Sequence, residues 1–239
     1  MPLRKLLFIL QSEQYDVKRF LKWVFRHPLE WWRREVLEKR TQLVWTLKIR
    51  LIAGLTFLLI VFLPILLFLI AGLVVSAVII TALATLFLLP LFVVCAYLLL
   101  TPLDSAAKFF IVRRARAKLR RDFSGVKVIG ITGSYGKTTM KEILSALLSQ
   151  KYAVFKTPEN INTDLGVAEL VLHSLTKEHE VFIAEMGAFK RGDIARLCTL
   201  LSPELGILNG INEQHLDRFG SIENTIKTKF EIVQHMQRD

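Results

Sequence analysis

The chain is poor in cysteine, and this scarcity limits the kind of protein it can be. Of its 239 residues only Cys95 and Cys198 are cysteines, and neither belongs to a CxxC pair or to a Cys/His metal-ligand spacing. A disulfide framework and a cysteine-based metal site are therefore excluded. Both thiols are expected to be buried, in a reducing compartment.

A second absence is that of charge in the first half of the chain. From residue 51 to residue 100 there is no Asp, Glu, Lys or Arg. A membrane-spanning helix needs about 20 apolar residues, so this stretch is long enough for two spans. The reversal between them is predicted near residues 71–76, where Gly72 interrupts the helical pattern. Because no ionisable side chain lies inside the stretch, an ion path is not expected.

Positive charge flanks this apolar stretch. The chain has a net charge of +11 and is 52% hydrophobic, which is too apolar for an ordinary soluble protein. Residues 1–50 carry 12 Lys/Arg and 5 Asp/Glu, residues 104–122 carry 7 and 2, and residues 123–239 carry 13 and 14. We interpret the excess as charge at a membrane surface, with both flanks cytoplasmic. The expected location is the cytoplasmic membrane, with a lipid bilayer and no nucleic acid as partner.

The chain divides into four predicted segments. Residues 1–50 are basic and aromatic-rich and are predicted to form helices at the membrane surface, with a basic helix packed on its own domain as the alternative. Residues 51–103 are predicted to be a two-helix transmembrane hairpin, and residues 104–124 a basic connector helix. Residues 125–239 are predicted to be an α/β domain.

Strand and helix patterns alternate in this last segment. Such alternation with short connections predicts a P-loop-type parallel sheet with helices on both faces and ligands at the carboxyl ends of the strands. The strand candidates are 126–131, 152–156, 181–185 and 205–208, and the helix candidates are 137–149, 164–174, 192–201 and 221–236.

The stretch 126–139 runs from an apolar strand through a glycine turn into a helix that begins with lysine. This pattern is typical of a phosphate site, because inward-turned backbone N–H groups, a helix N-terminus and an ammonium group converge on the anion. Ile131 stands where the strict P-loop pattern has its first glycine, so later glycines must make the turn. The candidate ATP- and phosphate-binding residues are Gly133, Ser134, Tyr135, Gly136, Lys137, Thr138 and Thr139.

The loop TGSYGKTT at 132–139 resembles that of the Mur ligases, the ATP-dependent amide-forming enzymes of peptidoglycan synthesis. Further matches follow in the same order: NINTDLG at 160–166, EMGA at 185–188 with GDI at 192–194, HLDRFGS at 215–221 and KTKFEI at 227–232. The EMGA and GDI pair is most similar to members that add D-alanyl-D-alanine. The resemblance implies a ligase that uses ATP and Mg²⁺ to join a muramoyl-peptide precursor to D-Ala-D-Ala.

The resemblance also implies roles for individual residues. Thr138, Glu185 and His215 would be metal ligands, and Lys229 would be carbamylated and would approach a second metal, with Lys227 as its rival. Lys137, Lys229 and His215 would be catalytic. Asn160, Asn162 and Thr163 would lie near the γ-phosphate and the substrate. Where these ligases usually carry an Asn five positions before the His, this chain has Gly210, preceded by Asn209.

Nothing before residue 125 resembles the UDP-gripping domain of these ligases, and residue 239 precedes the rest of their central domain. The chain alone is therefore expected to be an inactive fragment. Two alternatives stay open: another amide ligase of the same kind, such as a poly-γ-glutamate synthase, and a non-catalytic membrane-tethered nucleotide-binding module.

Overall fold

The computed structural model describes residues 2–28, 30–32, 43–71, 80–81, 83–85, 87–212 and 219–236. The chain separates into two compact units, Met1–Ser105 and Ala106–Asp239. These are called here the N-terminal unit and the C-terminal unit. The predicted reversal near residues 71–76 lies, apart from residue 71, outside the described residues.

Helices make up the described part of the N-terminal unit. They include α1 (Pro2–Ser12), α2 (Val17–Arg26), a short 3-10 turn (Glu30–Trp32), α3 (Leu47–Ala71) and the start of α4 (Leu89–Asp122). Asp16 begins α2 by accepting a hydrogen bond from the backbone N–H of Arg19, as N-cap residues do. By length and composition, α3 and α4 are the two described helices that could cross a membrane.

The apolar side of α1 is buried by contacts inside this unit. Leu6, Leu7 and Leu10 are fully buried, as is Phe20 of α2, whereas Phe25 is 80% exposed. These helices thus pack on their own unit, and their placement at a membrane surface stays a prediction. At the start of α3, Lys48 pairs with Asp104 at 2.7 Å.

The basic connector predicted at residues 104–124 is helical up to Asp122, as part of α4, which runs without a break from Leu89. One expectation for this half of the chain needs correction. Cys95 is exposed and only Cys198 is buried, because Val93, Val94 and Ala96 are the residues that α4 buries around it.

A four-stranded parallel sheet forms the centre of the C-terminal unit, in the order β2-β3-β1-β4. The strands are β1 (Lys127–Thr132), β2 (Val154–Lys156), β3 (Val181–Glu185) and β4 (Leu205–Leu208). The register pairs Ile131 with Glu185 and Thr132 with Leu208. The carboxyl ends of β1, β3 and β4 therefore meet at one edge, and the predicted α/β fold is confirmed.

Both faces of the sheet are covered. Successive side chains of a strand point to opposite faces, and each face packs against its own hydrophobic cluster. Val128 and Phe182 belong to one hydrophobic cluster, while Ile129 and Ile183 belong to another. This double burial explains the continuous apolar runs of β1 and β3. After the end of α4, the described part of this unit contains the helices α5 (Lys137–Leu148), α6 (Asp164–His173), α7 (Asp193–Leu201) and α8 (Ile222–His235).

The second predicted strand is shorter than expected. It begins at Val154, because the backbone N–H of Tyr152 still bonds to Leu148 O, at 2.9 Å, in the turn that ends α5. The other three strands lie within one residue of their predicted bounds.

Candidate functional site

The loop between β1 and α5 has the backbone of a phosphate-binding turn. Gly133 has φ +153° and Gly136, which caps α5, has φ +73°. A Cβ at Gly133 would lie 2.9 Å from Asn209 Cβ and 3.2 Å from its backbone carbon. Both glycines are therefore required, one by close approach and both by positive φ. This agrees with the turn predicted without a first glycine.

Lys137 begins α5 and folds back over the loop. Its Nζ donates a hydrogen bond to Gly133 O at 2.9 Å, so the ammonium group lies at the mouth of the turn. The backbone N–H of Ser134 donates to Gly210 O at 2.8 Å. That donor is thus satisfied by the loop after β4.

The ring of Tyr135 lies over Gly210. A Cβ on Gly210 would lie 2.0 Å from Tyr135 Cζ, so this exposed ring would have to turn away if residue 210 carried a side chain. Asn209 lies beside the turn instead, and its backbone N–H donates to Thr132 O at 2.8 Å. The asparagine of this chain is thus one position earlier than in the Mur ligase pattern, and its side chain still lies against the loop. Thr139 is exposed on the first turn of α5.

Glu185 ends β3 beside the start of α5. Only 5% of the residue is exposed. Thr138 Oγ1 donates to Glu185 Oε2 at 2.9 Å, and Asn162 Nδ2 donates to Oε1 at 3.3 Å. A threonine hydroxyl and a carboxylate are hard oxygen ligands that Mg²⁺ accepts, together with phosphate oxygens. The donor set therefore fits the predicted metal ion.

Of the three residues predicted to lie near the substrate, Asn162 alone reaches this site in the structure described. Its backbone oxygen accepts a hydrogen bond from Gly187 N at 2.7 Å. Thr163 is the N-cap of α6 and accepts from Gly166 N. Asn160 is exposed, with a left-handed φ of +64°.

Lys229 of α8 is buried, with 4% of the residue exposed. Burial, and next the nearby charge of Lys137, lower the pKa of its ammonium group to about 8. Lys227, by contrast, is half exposed and pairs with Glu223 at 2.7 Å on the surface. The two lysines proposed for the modification therefore differ in burial, and the modification itself stays a prediction. Glu231 accepts hydrogen bonds from Gly192 N and Ala195 N at the start of α7.

A small cleft of about 80 Å³ brings several of these groups together. No carboxylate is among its described lining residues, so its charged groups are both cations. His215 lies outside the described residues. The lining residues are Gly133, Ser134, Lys137, Asn162, Gly187, Ala188, Phe189, Phe219, Thr225 and Lys229.

The sequence interpretation missed Lys141. This residue of α5 is fully buried, and its Nζ lies 3.6 Å from Glu185 Oε2. Its spacing could have identified it, because it is four residues after Lys137 and three after Thr138, on the same side of the helix.

The comparisons agree with this geometry. Residues 131–239 match the family described as Mur ligase middle domain. The UDP-N-acetylmuramoyl-tripeptide–D-alanyl-D-alanine ligase of Bacillus subtilis is 36% identical over 115 residues, which are 48% of this chain and 25% of that protein. The Escherichia coli enzyme of the same name is 36% identical over 143 residues, covering 57% of this chain and 31% of the enzyme.

Solved structures give the same result. The MurF ligase of Thermotoga maritima in complex with ADP is 39% identical with a TM-score of 0.52, over 55% of this chain and 30% of that one. MurF from Acinetobacter baumannii is 33% identical with a TM-score of 0.52, over 54% and 28%. The chain thus spans about a quarter to a third of the length of these relatives. By family model, curated relatives and solved structures alike, residues 131–239 are similar to the Mur ligase middle domain.

Proposed function

We propose that this chain is the nucleotide-binding part of a membrane-anchored, ATP-dependent amide ligase that adds D-alanyl-D-alanine to a UDP-linked muramoyl tripeptide. The observation that carries the proposal is the meeting of Lys137, the Thr138–Glu185 pair and the buried Lys229 at one sheet edge. The names of the curated relatives support this substrate pair over glutamate polymerisation.

Each group at this edge has a separate task in the proposed reaction. The turn at Gly133–Gly136 and Lys137 would hold the phosphates of ATP. Thr138 and Glu185 would hold Mg²⁺, which supplies charge neutralisation on the phosphates when bound. A substrate carboxylate oxygen would then attack the γ-phosphorus, releasing ADP and leaving an acyl phosphate. Attack by the amine of D-Ala-D-Ala on the acyl carbon would form the amide, release phosphate and give up one proton to solvent.

Lys229 would enter this reaction as a carbamate. With a pKa of about 8, part of its amine is neutral near neutral pH and can attack CO₂. A C–N bond forms, the amine loses a proton, and a cation becomes an anion. The negative carbamate would attract the ammonium group of Lys137, whereas the unmodified lysine repels it.

The helices α3 and α4 would anchor the chain in the cytoplasmic membrane. Their length, their apolar composition and the basic residues on both flanks support this placement. ATP is cytosolic, so the C-terminal unit would face the cytoplasm.

Two measurements test the proposal. The chain in lipid nanodiscs should bind ADP in the presence of Mg²⁺, and Lys137→Ala should lose this binding whereas Lys227→Ala should keep it. The natural polypeptide that carries this chain should release phosphate and form the amide product, by mass spectrometry, from ATP, the UDP-linked tripeptide and D-Ala-D-Ala. Phosphate release at background level with this pair, or incorporation of glutamate instead, would reject the substrate assignment.

A further inference from the structure

The buried Lys141 is not used by the proposed reaction. It is fully buried, and its Nζ has no hydrogen-bond partner among the described residues. Burying an ammonium group in this way is costly unless an anion compensates it. The structure must therefore supply that anion nearby.

Two carboxylates among the described residues lie within ion-pair distance of Lys141. Glu185 Oε2 is at 3.6 Å and is buried with it, whereas Glu142 Oε1 is at 3.7 Å on a side chain that is 48% exposed. Glu142 also pairs with Lys156, so its charge is already shared and screened by solvent. The compensating anion of Lys141 is therefore Glu185.

This pairing has a consequence for the metal site. Ligand charge sets how tightly a site binds a hard divalent cation. Here the charge of Glu185 is cancelled by Lys141, and the described residues contain no group of three or more His, Cys, Asp and Glu placed to hold a metal. Without phosphate, the described part of the site offers a divalent cation no net negative charge.

We propose that Lys141 is the resident counterion of Glu185 and makes capture of Mg²⁺ at the Thr138–Glu185 pair conditional on nucleotide phosphate. The proposal rests on the proposed function only in taking this pair as the metal site. Lys141 touches neither phosphate nor metal and acts through Glu185, so it is a positioning residue. The metal ion and the nucleotide then bind together. In the empty site the charge of Glu185 stays compensated by Lys141.

The test measures Mn²⁺ binding, by electron paramagnetic resonance, to the full chain in nanodiscs without nucleotide. Lys141→Met removes the charge and keeps an unbranched apolar stem. It should bind Mn²⁺ at least about tenfold more tightly than the wild type, because the charge of Glu185 is no longer cancelled. Lys227→Met, the matched control on the surface of α8, should bind as the wild type does. The double variant Lys141→Met/Glu185→Gln should lose the gain.

Equal Mn²⁺ affinity in the wild type and Lys141→Met, or a gain that persists in the double variant, would overturn the proposal. Lys141→Met leaves Glu185 uncompensated, so it is purified with Mn²⁺, and its unfolding midpoint should fall when the metal is removed. Lys141→Gln serves as a second neutral variant with the same expected behaviour. If neither variant folds with Mn²⁺ present, the proposal also fails, since the metal should replace the ammonium group.

The nucleotide and ligase assays separate this proposal from the proposed function. A wild type that binds no ADP would refute nucleotide binding, while the comparison of Mn²⁺ affinities would still decide the role of Lys141. A ligase with another amine substrate would leave the counterion pair unchanged.

Discussion

Replacing Lys229 by methionine should stabilise the C-terminal unit at neutral pH, although it removes the group that the proposed carbamate needs. The wild-type ammonium group is buried and repelled by Lys137, and these two causes lower its pKa to about 8 from an ordinary 10.5. Methionine has a similar length, is flexible and carries no charge, so it can occupy the same space without the desolvation cost.

The size and sign of the effect follow from the two pKa values. At roughly 1.36 kcal/mol per pKa unit, the gap between 8 and 10.5 corresponds to about 3 kcal/mol. Below pH 8 the lysine is protonated in both the folded and the unfolded chain, so the full cost is present. Between pH 8 and 10.5 the unfolded chain binds more protons, so wild-type stability rises with pH. The advantage of Lys229→Met should therefore be largest near pH 7 and vanish near pH 10.5.

The free energy of unfolding of this unit can be measured by pulse proteolysis in urea, on the full chain in nanodiscs. The size of the protected fragment identifies the unit, and the amount of that fragment at each urea concentration gives its folded fraction. The buffers are free of CO₂, so that Lys229 stays an amine. The matched control is Lys227→Met, which breaks an exposed ion pair with Glu223 and should change stability by less than about 1 kcal/mol. If Lys229→Met is no more stable than the wild type at pH 7, or if its advantage does not depend on pH, the buried-cation reasoning is wrong.

Three further outcomes are expected. Thr138→Val should weaken ADP binding about tenfold with Mg²⁺ and leave metal-free binding unchanged in calorimetry, because only the hydroxyl that contacts Glu185 is lost. Gly133→Ala should cost about 1–3 kcal/mol of unfolding free energy, since a Cβ would press on the Asn209 backbone, whereas Gly125→Ala, with nothing within 4 Å, should be nearly neutral. In a cysteine-free background, Ser202→Cys should resist a membrane-impermeant thiol reagent until cells are permeabilised; labelling of intact cells would refute the proposed topology.

The sheet and its phosphate turn could be predicted because their signals are local. An apolar strand, two glycines with positive φ and a lysine at the helix start follow one another along the chain, and β1 and β3 are buried on both faces. The contact between Tyr135 and Gly210 could not be predicted in this way. It joins residues far apart in sequence, and a glycine after a strand indicates only a turn.

Charge at the site was harder to interpret than the fold, since a helical lysine usually lies in solvent. Lys229 was identified through the family resemblance, and Lys141 was missed, yet both are buried. Lys141 lies beside Glu185 at the end of β3, and Lys229 of α8 lines the cleft. The burial of these two lysines sets the charge of the site. The charge of Glu185 is balanced by Lys141. Lys137 and Lys229 line a cleft that has no carboxylate among its described lining residues. Such a cationic cleft favours the binding of an anion that already carries a bound metal ion. Nucleotide phosphate with Mg²⁺ has this chemistry, and the free metal does not.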